Sequence, residues 1–139
     1  TMASNEVEEQ NTQTPWKLNP MIFGARYCHY SVRVDEHRMI IMGGLDADSE
    51  LLSNGFVYDI CTQQSIPLPN KLPTLLQSCC VVANEGFVYV IGGWGGRRVG
   101  AVNTVYRLSL ETYECTIMAP MGAARSECAA KLKDKYIYV

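Results

Sequence analysis

At 139 residues with 47% hydrophobic composition, the chain is about one domain long and carries enough apolar material for a packed core. Its formal net charge of -2 supplies no basic field of the kind that holds DNA or RNA. Apolar runs such as FVYVI at 87–91 are only strand length, which argues against a membrane-spanning helix and a membrane role.

In chain order, residues 1–15 hold Glu6, Glu8 and Glu9 with no lysine or arginine, and read as a polar, acidic, solvated tail. They lack the apolar stretch of a signal peptide. Trp16 begins a short segment, 16–23, with the character of a strand. From residue 24 onward, short runs rich in β-branched and aromatic residues alternate with turn residues: CHYSVRV, then VDEHR, then RMIIMGG, then LDADSELLSN. The order continues with FVYDI and CTQQ before a proline-punctuated stretch, and then QSCCVVA, ANEG and FVYVIGG. Helical periodicity appears over no useful length, so the expectation is an all-β chain.

The stretch FVYVIGGWGGRRVG at 87–100 raises the possibility of a phosphate-cradling loop. The spacing does not support it. G-x-G-x-x-G starting at Gly93 is met at Gly95 and broken at Arg98, and AVNTVYRLSL follows as a β-type segment where a helix is needed. DADSE at 46–50 likewise lacks the glycine and distant glutamate of a calcium loop. The six cysteines form no C-x-x-C pair and have no zinc-type histidine spacing, so they read as small buried residues in a reducing compartment, with no metal or other cofactor. Cys79 and Cys80 fall on opposite faces of one strand. His37 falls in a turn and reads as solvated, while His29 reads as part of an inner strand.

An internal repeat accounts for the glycines. RMIIMGG ends at Gly43 and Gly44, and FVYVIGG ends at Gly92 and Gly93, 49 residues later. Tyr58 lies fourteen residues past the first doublet and Tyr106 thirteen past the second. Arg26 recurs as Arg125 two periods on, a feature broken in the middle copy by Leu75-Leu76, and TPWKLNPM around Trp16 matches YECTIMAPM. Each period reads as four short strands. A glycine doublet at the end of the second strand permits positive φ and close approach of neighbouring backbone.

A hydrophobic strand ending in Gly-Gly, a tyrosine about fourteen residues on and a tryptophan-bearing strand, at a period near fifty, resembles the kelch motif, whose repeats are blades of a β-propeller. At the other tryptophan positions of the motif this chain has Ser65 or Ile66, and Tyr113 or Cys115. The resemblance implies four-stranded antiparallel blades in an incomplete ring: an outer strand of a preceding blade at 16–23, blades at 24–70 and 71–120, and the start of a truncated blade at 121–139. Further blades from a longer chain, or ring completion between copies, would complete it.

The resemblance also implies a loop face for a protein or peptide partner. The loops are 45–54, with Asp46, Asp48 and Glu50, and 94–103, with Trp94, Arg97 and Arg98; Arg26, Tyr27, Arg125, Ser126 and Glu127 stand beside them. Trp94 and the arginines are the residue types that dominate interface hot spots, although oppositely charged neighbouring loops could instead pair with each other. The implied function is a non-catalytic, cytoplasmic (or nuclear) protein-interaction module, an adaptor or scaffold; the alternative is a segment of a kelch-type enzyme, such as a sugar oxidase, epimerase or specifier, whose catalytic residues lie elsewhere. Gly43, Gly44, Gly92, Gly93, Tyr58, Tyr106 and Trp16 are the expected structural residues.

Overall fold

The computed structural model of the protein describes residues 24–139; the expectations for the acidic tail, Trp16 and the strand at 16–23 lie outside the described residues. The described chain contains ten strands and no helix. Strands β1 (Tyr30–Arg33), β2 (Arg38–Met42), β3 (Gly55–Asp59) and β4 (Gln64–Pro67) form one antiparallel meander. A second meander follows with β5 (Cys80–Asn84), β6 (Phe87–Ile91), β7 (Val105–Ser109) and β8 (Cys115–Ile117). The hairpin of β9 (Lys131–Lys133) and β10 (Tyr136–Tyr138) comes last. The sheets do not close on one another. The expected all-β architecture of four-stranded antiparallel sheets is therefore present.

Local chemistry explains each connection. β5 and β6 are joined by Glu85 and Gly86, both at positive φ (46° and 82°), a two-residue turn whose twist matches that of the strands it joins. The β1–β2 turn is longer and is held by Asp35, whose carboxylate accepts from the amides of His37 (2.9 Å) and Arg38 (2.8 Å). Asp59 organises the β3–β4 turn, accepting from Cys61 (2.8 Å) and Thr62 (2.9 Å). In the second sheet the hydroxyl of Ser109 does the same for Glu111 and Thr112.

Strand alternation gives each sheet two apolar faces, so sheets stack face to face. Ile40, Met42 and Val57 of the first sheet meet Val88, Val90, Tyr106 and Leu108 of the second, with Tyr30, Leu72, Leu76 and Cys79 closing the cluster. Tyr106 is 3% exposed, and its hydroxyl lies 2.9 Å from that of Thr74. Tyr58 follows Val57 on β3, on the face of the first sheet turned away from the second. Cys80, Val82 and Ile91 begin a smaller cluster towards the terminal hairpin.

Cys79 and Cys80 thus serve opposite faces, as alternation requires. The reading of all six cysteines as buried holds for Cys79 and Cys80 and is corrected elsewhere: Cys115 and Cys128 are half-buried, and Cys28 and Cys61 are exposed, because Cys28 precedes β1 and Cys61 sits in the β3–β4 turn. His29 is also exposed and lies just ahead of β1, not within it.

The glycine doublets are the joints between sheets. Gly43 and Gly92 have φ of 61° and 62°. A Cβ on Gly43 would meet the Leu76 carbonyl oxygen of the next sheet at 2.7 Å, and one on Gly92 would meet the Arg125 carbonyl oxygen. The second glycine of each pair donates to that same carbonyl, Gly44 to Leu76 at 3.2 Å and Gly93 to Arg125 at 2.8 Å. The doublet is therefore where one repeat docks on the next.

Candidate functional site

Antiparallel meanders place the β2–β3 and β6–β7 loops at one end of the sheets, together with the segments that lead into each first strand. Both loops extend as small hairpins from their glycine doublets. Leu45 bridges Tyr27 and Leu51, and Trp94 bridges Gln77 and Ala101. At the tip of the second hairpin, Gly95 donates to Gly100 (2.9 Å) and Gly100 to Gly96 (2.8 Å), so Arg97, Arg98 and Val99 are held out into solvent.

The structure divides the predicted site residues into two groups. Asp46 is spent on its own loop: its carboxylate accepts from the amides of Asp48 and Glu50, both at 2.9 Å. Arg26 donates to the carbonyls of Gly43 (3.2 Å) and Asn54 (3.3 Å), and its guanidinium lies 5.3 Å from the centre of the Phe56 ring. Burial lowers the pKa of Arg26 from its ordinary value, an effect partly opposed by Tyr30. Tyr27 places its hydroxyl 2.6 Å from that of Ser49. The side chains of Asp48, Glu50, Arg97, Arg98 and Arg125, by contrast, are exposed.

The acidic and basic loops touch without pairing their charges. Among the described residues no ion pair joins them; the ion pair recorded is Arg38 to Asp35, at 2.6 Å and far from this end. Their contact is apolar. Leu51 reaches within 3.4 Å of where a Cβ on Gly96 would stand, and both residue 51 and Val99 line a groove of about 260 Å³ between the loops. An acidic and a basic surface therefore stand side by side, each open to solvent.

Trp94 is half-buried, packed beside Gly100, and borders a second groove of about 330 Å³ with Cys28, Gln77, Ser78, Ser126 and Glu127. Three of these residues are equivalents in successive repeats. Cys28, Ser78 and Glu127 have φ of 53°, 53° and 52°. Ser78 donates its amide to Cys28 (2.9 Å), and Glu127 donates to Ser78 (3.0 Å), which makes a backbone rim running from repeat to repeat. Sequence reasoning singled out Ser126 and Glu127 but not Cys28, Gln77 or Ser78. Their signal was positional, since each rim residue stands two places after Arg26, Leu76 or Arg125.

Four-stranded meanders stacked face to face, docked through glycine pairs and joined at one end by a repeating rim, define blades of the β-propeller kind. The kelch motif matches residues 26–72 and 77–122, and the chain belongs to the kelch-repeat family. It is similar to human (Homo sapiens) Kelch-like protein 34, at 31% identity over 114 residues, which is 79% of this chain and 17% of that protein. Alpha-scruin of Limulus polyphemus is 32% identical over 65 residues, 47% of this chain and 7% of that protein. The chain thus spans only a small part of either relative's length. No helix among the described residues is long and apolar enough to cross a membrane.

Proposed function

We propose that this chain is a protein-interaction module, presenting the loop end of its blades to a protein or peptide partner without catalysing a reaction. The observation that carries this reading is the pair of backbone-bridged hairpin loops that leave Arg97, Arg98, Asp48 and Glu50 exposed and unneutralised by each other beside half-buried Trp94. An aromatic anchor flanked by charges on hydrogen-bonded loops combines apolar burial with electrostatic selection of partner. Arg97 and Arg98 favour carboxylates of the partner, Asp48 and Glu50 favour its basic residues, and Arg125 extends the basic side. Within a longer kelch protein the role is that of an adaptor or scaffold in the cytoplasm or nucleus.

The test is selection of binders from a displayed random peptide library against the 139-residue chain, followed by affinity measurement with loop variants. Arg97→Glu with Arg98→Glu is expected to weaken selected peptides about tenfold or more, while Asp59→Asn at the other end of the sheets leaves them unchanged. Peptides indifferent to both loops would overturn the assignment of this face.

A further inference from the structure

The opposite end of the first sheet brings together two side chains that the sequence keeps 24 positions apart: the thiol of Cys61 lies 3.0 Å from Nδ1 of His37. Both residues are exposed. Neither turn is loose. Asp35 fixes the β1–β2 turn through the amides of His37 and Arg38, and Asp59 fixes the β3–β4 turn through the amides of Cys61 and Thr62. The amide of Ile60 donates to the carbonyl of His37 at 2.7 Å, which ties the two turns directly. The carboxylate of Asp59 also interacts electrostatically with His37. A thiol held against an imidazole is the arrangement that makes cysteine nucleophilic.

We propose that Cys61 is a modification site, a nucleophilic thiol that exchanges with low-molecular-weight disulfides, with His37 taking its proton. In this step the Cys61 proton passes to Nδ1 of His37, and the sulfur electron pair attacks one sulfur of the disulfide RSSR. The S–S bond breaks, RS⁻ leaves and takes the proton from the imidazolium, and the products are RSH and Cys61 in mixed disulfide with R. No other oxidant is required. The remaining cysteines are placed differently. Burial pushes Cys79 up to about 12 and raises Cys80 and Cys115 from their ordinary values, and the half-buried Cys128 thiol lies 2.8 Å from that of Cys80. Cys28 is exposed but has no side-chain hydrogen-bond partner among the described residues, which makes it an internal control. The charged groups of these two turns are Asp59, Asp35, Glu36, Arg33, whose guanidinium donates to the carbonyls of Asp35 and Glu36 (both 2.9 Å), and Arg38, held by Asp35.

The experiment is time-resolved labelling of the 139-residue chain with hydroxyethyl disulfide, a neutral probe, with the rate at each cysteine read by peptide-mapped mass spectrometry. At pH 7 Cys61 is expected to react about tenfold faster than Cys28, an advantage that narrows towards pH 9 as ordinary thiols ionise unaided. His37→Gln is expected to remove the advantage while the Cys28 rate in the same sample stays constant, and continued protection of buried Cys79 and Cys80 shows that the fold is retained. Equal rates at the two cysteines, an advantage that survives His37→Gln, or one that does not change with pH would overturn the proposal, since exposure alone would then explain the labelling.

Discussion

The two interfaces between successive sheets share one backbone joint and differ in everything that fills it. In both, a doublet glycine lies against the carbonyl that its neighbour binds, Leu76 in one case and Arg125 in the other, and a rim amide donates to the preceding rim carbonyl. The first interface buries a broad cluster from β2, β3, β6 and β7, including Ile40, Val88 and Val90 at 0% exposure. Among the described residues the second buries only Cys80, Val82 and Ile91, while Tyr136 and Tyr138 of the terminal hairpin remain 68% and 58% exposed. The joint sets how repeats register against one another, and packed strand faces supply most of the burial energy.

Truncating a buried residue in each interface tests this contrast most strongly. Leu108 and Ile91 are equally buried at 2% exposure. Leu108→Ala is expected to cost about 3 kcal/mol in urea unfolding, and Ile91→Ala less, because the thinner second cluster has less to lose and can collapse into the gap. Equal losses would show that the second interface is as tightly packed as the first. Next in size is the joint. Gly92→Ala should cost about 2 kcal/mol, since Cβ meets a backbone carbonyl that cannot swing aside and φ is 62°. Gly86→Ala provides the comparison, with φ of 82° but nothing within 4 Å, and should cost about 1 kcal/mol. Thr74→Val, which leaves the buried Tyr106 hydroxyl without its partner at 2.9 Å, should cost about 1 kcal/mol by the same measurement.

Acid separates the two complete sheets more gently. Hydrogen bonds from the His37 amide and the Arg38 side chain lower the pKa of Asp35, and the Thr62 amide leads the lowering at Asp59. A depressed carboxylate contributes stability that is present above its ordinary pKa, near 3.8, and lost as pH falls through the lower folded value. The matching turn of the second sheet uses Ser109, which does not titrate in this range. Amide exchange at Cys61 and Thr62, corrected for its intrinsic pH dependence, should therefore lose protection below about pH 4. Glu111 and Thr112 should not.

Much of the fold was legible because its signals are local. Glycine doublets before a polar loop, apolar strand runs and turn residues at a fixed period need no distant partner to be read, and they led to the four-stranded sheets and the opposite faces of Cys79 and Cys80. The loop face was legible only as a set of positions. Sequence cannot say that Asp46 turns inward to its own amides while Asp48 and Glu50 stay exposed, because all three are acidic residues of one short loop. Arg26 and Arg125 looked alike at a distance of two periods. Arg26 is engaged through its side chain by carbonyls of its own sheet, whereas Arg125 docks through its backbone and leaves its side chain in solvent. Oppositely charged loops suggested a mutual ion pair, and the contact between them proved to be apolar.

The sequence by itself determined the repeat, its strand content and the points where backbone must approach backbone, because periodicity and glycine act over a few residues. The tertiary structure decided which charges remain unneutralised, which tyrosine is enclosed and which thiol meets an imidazole. These depend on side chains brought together from separate strands and turns, and such meetings are set by the stacking of sheets and the geometry of their ends, which no local pattern encodes.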